Sequence, residues 1–259
     1  MAAVAGLALL AQSPGRTPAS IRPSFTPADS SETTPKLEEL APGSERLTFD
    51  IEWRLIHAGT MILESRKSDA RMMLQSAGLV SALFKVNDTY TVNFDEPYCA
   101  TSSSLDSQEG KRHHDTSVAF DRTLGKALFV ERDLVKNSLI RQVDVPIPNC
   151  VQETVGALLR LRNVPLDPGK ATQFPMSDGR RSANVRIEAQ EREQIKTPAG
   201  TYPTIRYQAD LLNGVIYSRK GTAQIWLTDD DFRVPIQIRL RMQFPIGSVT
   251  LQLAKQEHS

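Results

Sequence analysis

From Gly221 to Leu253 the chain reads Gly-Thr-Ala-Gln-Ile-Trp-Leu-Thr-Asp-Asp-Asp-Phe-Arg-Val-Pro and then two alternating apolar/polar runs. Ile236, Ile238, Leu240 and Met242 fall on one parity, and Gln237, Arg239, Arg241 and Gln243 on the other. A period of two puts these sets on opposite faces of a strand, so the segment predicts strand, acidic turn, strand, Gly turn, strand: an antiparallel meander with one oily face and one wet face.

The same grammar recurs upstream. Leu47, Phe49, Ile51 and Trp53 alternate in ERLTFDIEWR, and after a turn expected near His57 to Gly59 the run TMILES resumes extended character. Further strands are predicted over 71–76, 89–94, 98–105, 116–120, 126–132, 140–145, 171–176, 184–190 and 201–209. Gly- or Pro-bearing turns at 121–125, 167–169, 178–179 and 198–200 separate several of them. This spacing fits a large antiparallel sheet rather than βαβ units. Residues 77–84 are compatible with a short helix.

One segment has a different period. Cys150 to Arg162 (CVQETVGALLRLR) sets Val151, Val155, Leu158 and Leu159 at helical spacing, with Asn149 as the expected N-cap, Gln152 as its capping-box partner and Pro165 beyond the end. Its apolar stripe needs a partner, and the oily face of the sheet supplies one. The expected fold class is therefore mainly β: a large curved antiparallel sheet, a half-barrel or β-clam meander, with one amphipathic helix packed on the concave face. Val155, Leu158 and Leu159 are the candidate ligand-contacting residues, as lid or plug. Trp226 is a fourth candidate, with a core anchor as the alternative reading.

The N-terminus divides into two parts outside this fold. Residues 1–12 contain the apolar run AAVAGLALLA, shorter than a bilayer-crossing helix and of the length of a signal-peptide core. No Lys or Arg precedes it, and a chance apolar start is the alternative reading. Residues 13–44 are rich in Pro, Ser and Thr, a composition that cannot bury enough apolar surface to offset the entropy of ordering, so a disordered linker is expected there. A single β-rich domain is expected over 45–256. Localisation follows as periplasmic or otherwise secreted, with no membrane span in the mature chain.

Charge and motifs narrow the function classes. With 31 basic against 30 acidic residues, a net +1, the chain has no global field to hold a nucleic acid, and no nucleic-acid partner is expected. Phosphate loops, dinucleotide fingerprints, Gly-x-Ser-x-Gly elbows and paired-Cys motifs are missing from the sequence, so no cofactor is expected. His113 and His114 are adjacent, and neighbours on a strand face opposite sides, so they read as an exposed hairpin and no metal site is expected. Asp229, Asp230 and Asp231 are the best carboxylate candidates, but they read first as a turn whose side chains bond nearby backbone N–H groups and Arg162 or Arg233. Arg162 is expected to reach the Asp229/Asp230 turn. Cys99 and Cys150 suit a single disulfide in a secreted chain, with two separate buried thiols as the alternative and a catalytic thiol least favoured.

The chain from about Glu45 onward resembles a bacterial family known only as domain-of-unknown-function family 3108. The residues that carry the likeness are Cys150 with Leu161-Arg162, Thr197 to Thr201, Trp226-Leu227 with Asp229-Asp230, Arg233 with Pro235, and Phe244 with Gly247-Ser248. It departs from the family pattern at Glu153, where Asp is expected, and at Gly156, where a small hydroxyl residue is common. The order of a Trp-bearing strand, acidic turn, Pro-led strand and Gly turn is similar in layout to the periplasmic lipoprotein carriers, and that likeness implies a half-open barrel cupping a lipid chain. The expectation for function is a non-catalytic envelope protein holding a lipid or other apolar small molecule. An accessory protein contacting an envelope partner is the alternative, and a hydrolase using Asp229 or Asp230 is a third.

Overall fold

The computed structural model describes residues 40–95, 97–211, 221–242 and 247–259. The signal-like segment, the linker up to residue 39, Gln243 and Phe244 lie outside the described residues. The first half of the domain runs β1 (Glu45–Trp53), β2 (Ile56–Ser65), β3 (Asp69–Ser76), a short helix α1 (Gly78–Leu83), β4 (Val86–Asp95) and β5 (Cys99–Glu109). Two further hairpins follow through β6 (Arg112–Asp121), β7 (Lys126–Asp133) and β8 (Ser138–Pro146), and then helix α2 (Thr154–Arg162). The second half is β9 (Ala171–Ser177), β10 (Ser182–Thr197), β11 (Gly200–Ala209), β12 (Gly221–Thr228), β13 (Pro235–Met242) and β14 (Gly247–His258).

All fourteen strands form one antiparallel sheet in the order β8-β7-β6-β5-β4-β3-β2-β1-β14-β13-β12-β11-β10-β9. Every strand neighbours its sequence neighbours except β8 and β9, and one pairing joins strands distant in sequence. The first and last strands pair in the middle of the sheet, with Ile51 opposite Leu251, and the edges β8 and β9 are joined by the segment that carries α2. The sheet is a meander cut open at β8/β9 and left unclosed, with α2 at the opening. This is the curved antiparallel sheet with one packed helix that the alternation and the helical stripe predict.

The helix sits inside the curve and divides the core. Val155 and Leu159 pack with residues of β1–β4, β13 and β14, among them Phe49, Ile51, Leu74 and Ile236. Ala157 and Leu161 pack with residues of β9–β13, among them Phe174, Tyr207 and Leu227. Half-buried Leu158 touches both groups. Each fully buried Leu or Val side chain contributes about 1.5–3 kcal/mol, so α2 joins the two halves mainly by apolar burial. A third group formed by Ala100, Val118, Phe120, Phe129 and Val151 holds the β6–β7 flap.

Three local expectations are corrected. The β1–β2 turn lies at Arg54-Leu55, both at positive φ (50° and 67°), as a two-residue hairpin turn requires, while His57 to Gly59 already belong to β2. Helix α2 begins at Thr154, with Glu153 and not Asn149 as its cap, because Gln152 is drawn into backbone bonding with β9: its N–H donates to Pro175 and its carbonyl accepts from Ser177, both at 2.9 Å. Residues 40–44, read as linker, run beside the C-terminus, where the Gly43 N–H donates to the Ser259 carbonyl and the Ser259 N–H to that of Ser44.

Candidate functional site

Residues 150–152 clasp the two arms of the open sheet. Cys99 at the start of β5 is disulfide-bonded to Cys150, with Cα atoms 5.0 Å apart. The next residue continues the join, as the Ala100 N–H donates to the Val151 carbonyl at 2.8 Å, and Gln152 then bridges to Met176 on β9. Beyond the clasp, the β9–β10 turn meets the flap at close range. Gly179 has positive φ (82°), and a Cβ there would lie 2.7 Å from Val118 Cγ2, so only glycine fits this contact. Arg180 lays its guanidinium over the Phe129 ring, 5.6 Å from the centroid.

These contacts border a half-open cavity of about 370 Å³ between strands β5–β7, the first turn of α2 and the β9–β10 turn. Its size is within the range of small-molecule sites. Leu105, Val118, Phe120 and Phe129 form an apolar wall. The opposite character comes from Ser103, Ser107, Glu109, Arg112, His114 and Glu131 on β5–β7, with Tyr90, Glu153 and Thr154 at the base and Asp178 and Arg180 at the turn. Strand alternation produces the mixture, since Ser103, Leu105, Ser107 and Glu109 share one parity of β5.

At the base, Glu153 caps α2. Its carboxylate accepts from the Val155 N–H at 2.8 Å, from the Gly156 N–H and from the Tyr90 hydroxyl at 2.8 Å, and the residue is 3 % exposed. Burial raises its pKa, and those three donors oppose the rise. Two more carboxyls are perturbed nearby. Burial pushes Glu109 up to about 7, helped by the charge of Asp88 and opposed by Arg112. Burial pushes Asp88 up to about 6 against hydrogen bonds from Ser107 and Gln108. Perturbed groups concentrated around one cavity are a mark of functional sites.

The sequence-derived candidates are distributed differently. Val155 and Leu159 are packed into the core, and the space beneath α2 is filled by side chains; Leu158 is half-buried. Trp226 lies on the other face of the sheet from Ile225 and Leu227, where its Nε1 donates to Glu193 at 2.7 Å and Arg239 stacks over it at 5.2 Å. It is therefore not brought together with the three helix residues. His113 and His114 lie within β6 instead of on an exposed hairpin; His113 contacts Asp106 on β5 and His114 contacts Glu131 on β7.

The polar motif cluster gathers at the C-terminal end of α2. Arg162 makes a two-pronged pair with Glu45 and donates from Nε to the Phe232 carbonyl, so its carboxylate partner is on β1 and not on the acidic turn. Asp230 Oδ1 accepts from Thr228 Oγ1 and from the N–H groups of Phe232 and Arg233, and Arg233 Nη1 donates to the Arg162 carbonyl. Asp229 pairs with Arg192 at 2.8 Å. Arg162, Asp230 and Arg233 thus seat the β12–β13 turn against the helix end, which is a structural task. A more open hollow of about 600 Å³ lies beside them, lined by Glu45, Tyr98, Arg162 and Phe232 among others. Tyr90, Glu109, Glu131 and the capping role of Glu153 escaped the sequence reading, and His114 was read only as an exposed hairpin residue, because the space they border forms only where β4–β7 and the start of α2 come together.

Among solved structures, the chain is similar to a β-barrel-like protein of domain-of-unknown-function family DUF1849 from Brucella abortus, at 11% identity and TM-score 0.51, covering 83% of this chain and 97% of that one. It also matches a DUF1089 family protein from Pseudomonas aeruginosa (12% identity, TM-score 0.39, 71% and 90% covered). A third match is a Bacteroides fragilis protein described as exported with a YmcC-like fold (9% identity, TM-score 0.32, 84% and 96% covered). The Brucella likeness is one of fold. No curated protein matches the sequence. The model of the family described as "Protein of unknown function (DUF3108)" matches residues 48–254, so the open sheet, its clasp and the capped helix are those of a chain that belongs to the DUF3108 family.

Proposed function

We propose that this protein is an exported, non-catalytic binding module of the bacterial cell envelope that holds an amphiphile, a lipid or similar molecule, in the cavity beside the first turn of α2. The observation that carries this reading is the cavity itself: about 370 Å³, with one wall of Leu105, Val118, Phe120 and Phe129 and the remainder polar. An apolar tail and a polar group match those two surfaces. Export is supported by the Cys99–Cys150 disulfide, which persists in oxidising compartments, and by the signal-like start of the chain. A non-catalytic role is supported by the engagement of Asp229 and Asp230 in turn and ion-pair contacts. Native mass spectrometry of protein exported in cells and purified without detergent tests the reading. A retained small molecule, lost in Thr116→Trp, which fills the cavity from a half-buried lining position, with thermal stability preserved, is expected; protein that is empty under all such conditions refutes it.

A second reading, contact with an envelope protein, has its own observation. The β8 edge and the turn before it expose Val135 (67 %), Leu139 (52 %) and Ile140 (44 %). An apolar edge strand is a template for an added strand. Photo-crosslinking from Leu139 in cells would capture such a partner.

A further inference from the structure

We propose that the cavity selects amphiphiles with a cationic head, an amine or guanidinium joined to an apolar group, over those with an anionic head. This rests on the reading of the cavity as a ligand site and adds the ligand's charge. Four carboxylates line the space, Glu109, Glu131, Glu153 and Asp178, against the guanidiniums of Arg112 and Arg180.

The donors that would hold an anion are largely engaged. Arg180 is turned to Asp178, with Nη2 at 2.9 Å and Nε at 3.2 Å, and to the face of Phe129. His114 contacts Glu131 at 3.3 Å. Arg112 is the cross-strand neighbour of Glu109 and acts on its charge. The first turn of α2 would ordinarily draw an anion to its free N–H groups. Here Glu153 already accepts from those of Val155 and Gly156, so they are not free for a ligand anion.

An acceptor, in contrast, is left over. Asp88 is 1 % exposed, and its Oδ2 has no hydrogen-bond partner among the described residues. It stands opposite Ser107 and two residues from Tyr90, both lining the cavity, so its side chain shares their face. A buried acceptor lacking a donor favours a ligand that brings N–H groups, and a positive charge would restore the ionised form of Glu109, which burial now disfavours. Phe129 already accepts a guanidinium over its ring, so the apolar wall tolerates a cation at its edge.

The test uses three probes with one tail: decylamine, decanol and decanoate, titrated below their micelle concentrations into the full purified chain at neutral pH by native mass spectrometry and calorimetry. Decylamine is expected to bind about tenfold more tightly than decanoate, with decanol between them, and Glu109→Gln and Glu131→Gln should each shrink that ratio severalfold. Circular dichroism identifies a variant that fails to fold, and the other variant then decides. Equal binding of all three probes, tighter decanoate, or an unchanged ratio in both folded variants overturns the charge preference while leaving the cavity as an amphiphile site. Failure of all three probes to bind refutes both.

Discussion

Glu153 and Gly156 are fitted to one another: the Glu153 carboxylate folds so closely over the first turn of α2 that a Cβ on residue 156 would lie 3.1 Å from its Oε1 and 3.3 Å from the Tyr98 carbonyl. The long capping side chain at 153 and the missing side chain at 156 are thus two parts of one fit. Lengthening the capping side chain by a methylene carries the carboxylate further over the helix, and removing the side chain at 156 makes room for it.

This fit predicts coupling. Gly156→Ser should destabilise the protein by about 1 kcal/mol despite the gain in helix propensity, and Glu153→Asp in that background should recover most of the loss. Urea unfolding of the two single variants and the double variant measures the coupling, and strictly additive effects would refute the fit. Glu153→Ala, which abandons two backbone N–H groups and the Tyr90 hydroxyl, should cost more, about 2 kcal/mol.

Reduction of the clasp should weaken the whole domain. Cys99 and Cys150 are separated by 51 residues, for which the loop-entropy model gives about 4 kcal/mol. Paired Cys99→Ala and Cys150→Ala substitution should lower Tm by about 10 °C in a calorimetric scan. A drop of only a degree or two would show that the backbone bonds of Val151 and Gln152 hold the arms unaided.

Stability should carry the signature of buried neutral carboxyls. Asp88 is raised from 3.8 to about 6 in the folded chain. Between those values the folded state keeps a proton that the unfolded chain has released, so its contribution is fully present below about pH 4 and is lost as pH rises through about 6. Glu109, raised to about 7, has the same sign. Relative to the parent, Asp88→Asn should therefore gain on the order of 2 kcal/mol between about pH 4 and pH 7.5. Unfolding at the two pH values reads this directly, and a constant difference contradicts it.

The pair at the other end of α2 makes a separate claim. Arg162 and Glu45 are 15% and 12% exposed at their side chains, and removing either leaves a partly buried charge. Arg162→Leu and Glu45→Gln should show a coupling of about 2 kcal/mol, whereas Arg162→Leu and Asp229→Asn should add. Coupling with Asp229 in place of Glu45 would restore the pairing expected from sequence.

The elements that were readable are those in which one face is buried and the other is wet. Leu47, Phe49 and Ile51 on β1 and Ile236 and Leu240 on β13 are nearly inaccessible, and their parity announced it. The apolar stripe of α2 was equally plain, but its start was not. Asn149 offered a good cap, and only the backbone pairing of Gln152 with β9 moved the cap to Glu153. Arg162 advertised a carboxylate partner without naming it, since Glu45 comes within reach only because β1 lies across the helix end. On β5 and β6 the polar Ser107, Glu109 and His114 share a parity with Leu105, Val118 and Phe120, so alternation marked an inward face without showing that part of it borders a cavity.

By itself the sequence determined the strand and helix periods, the one-sided sheet, the disulfide as the favoured state of two cysteines, and the packing of α2 on the oily face, because each follows from local alternation or composition. Only the tertiary structure decided where an interior space remains, which carboxyls border it and which Arg–Glu pairs form. Those depend on residues far apart in the chain arriving at one place, and short-range periodicity holds no information about such meetings.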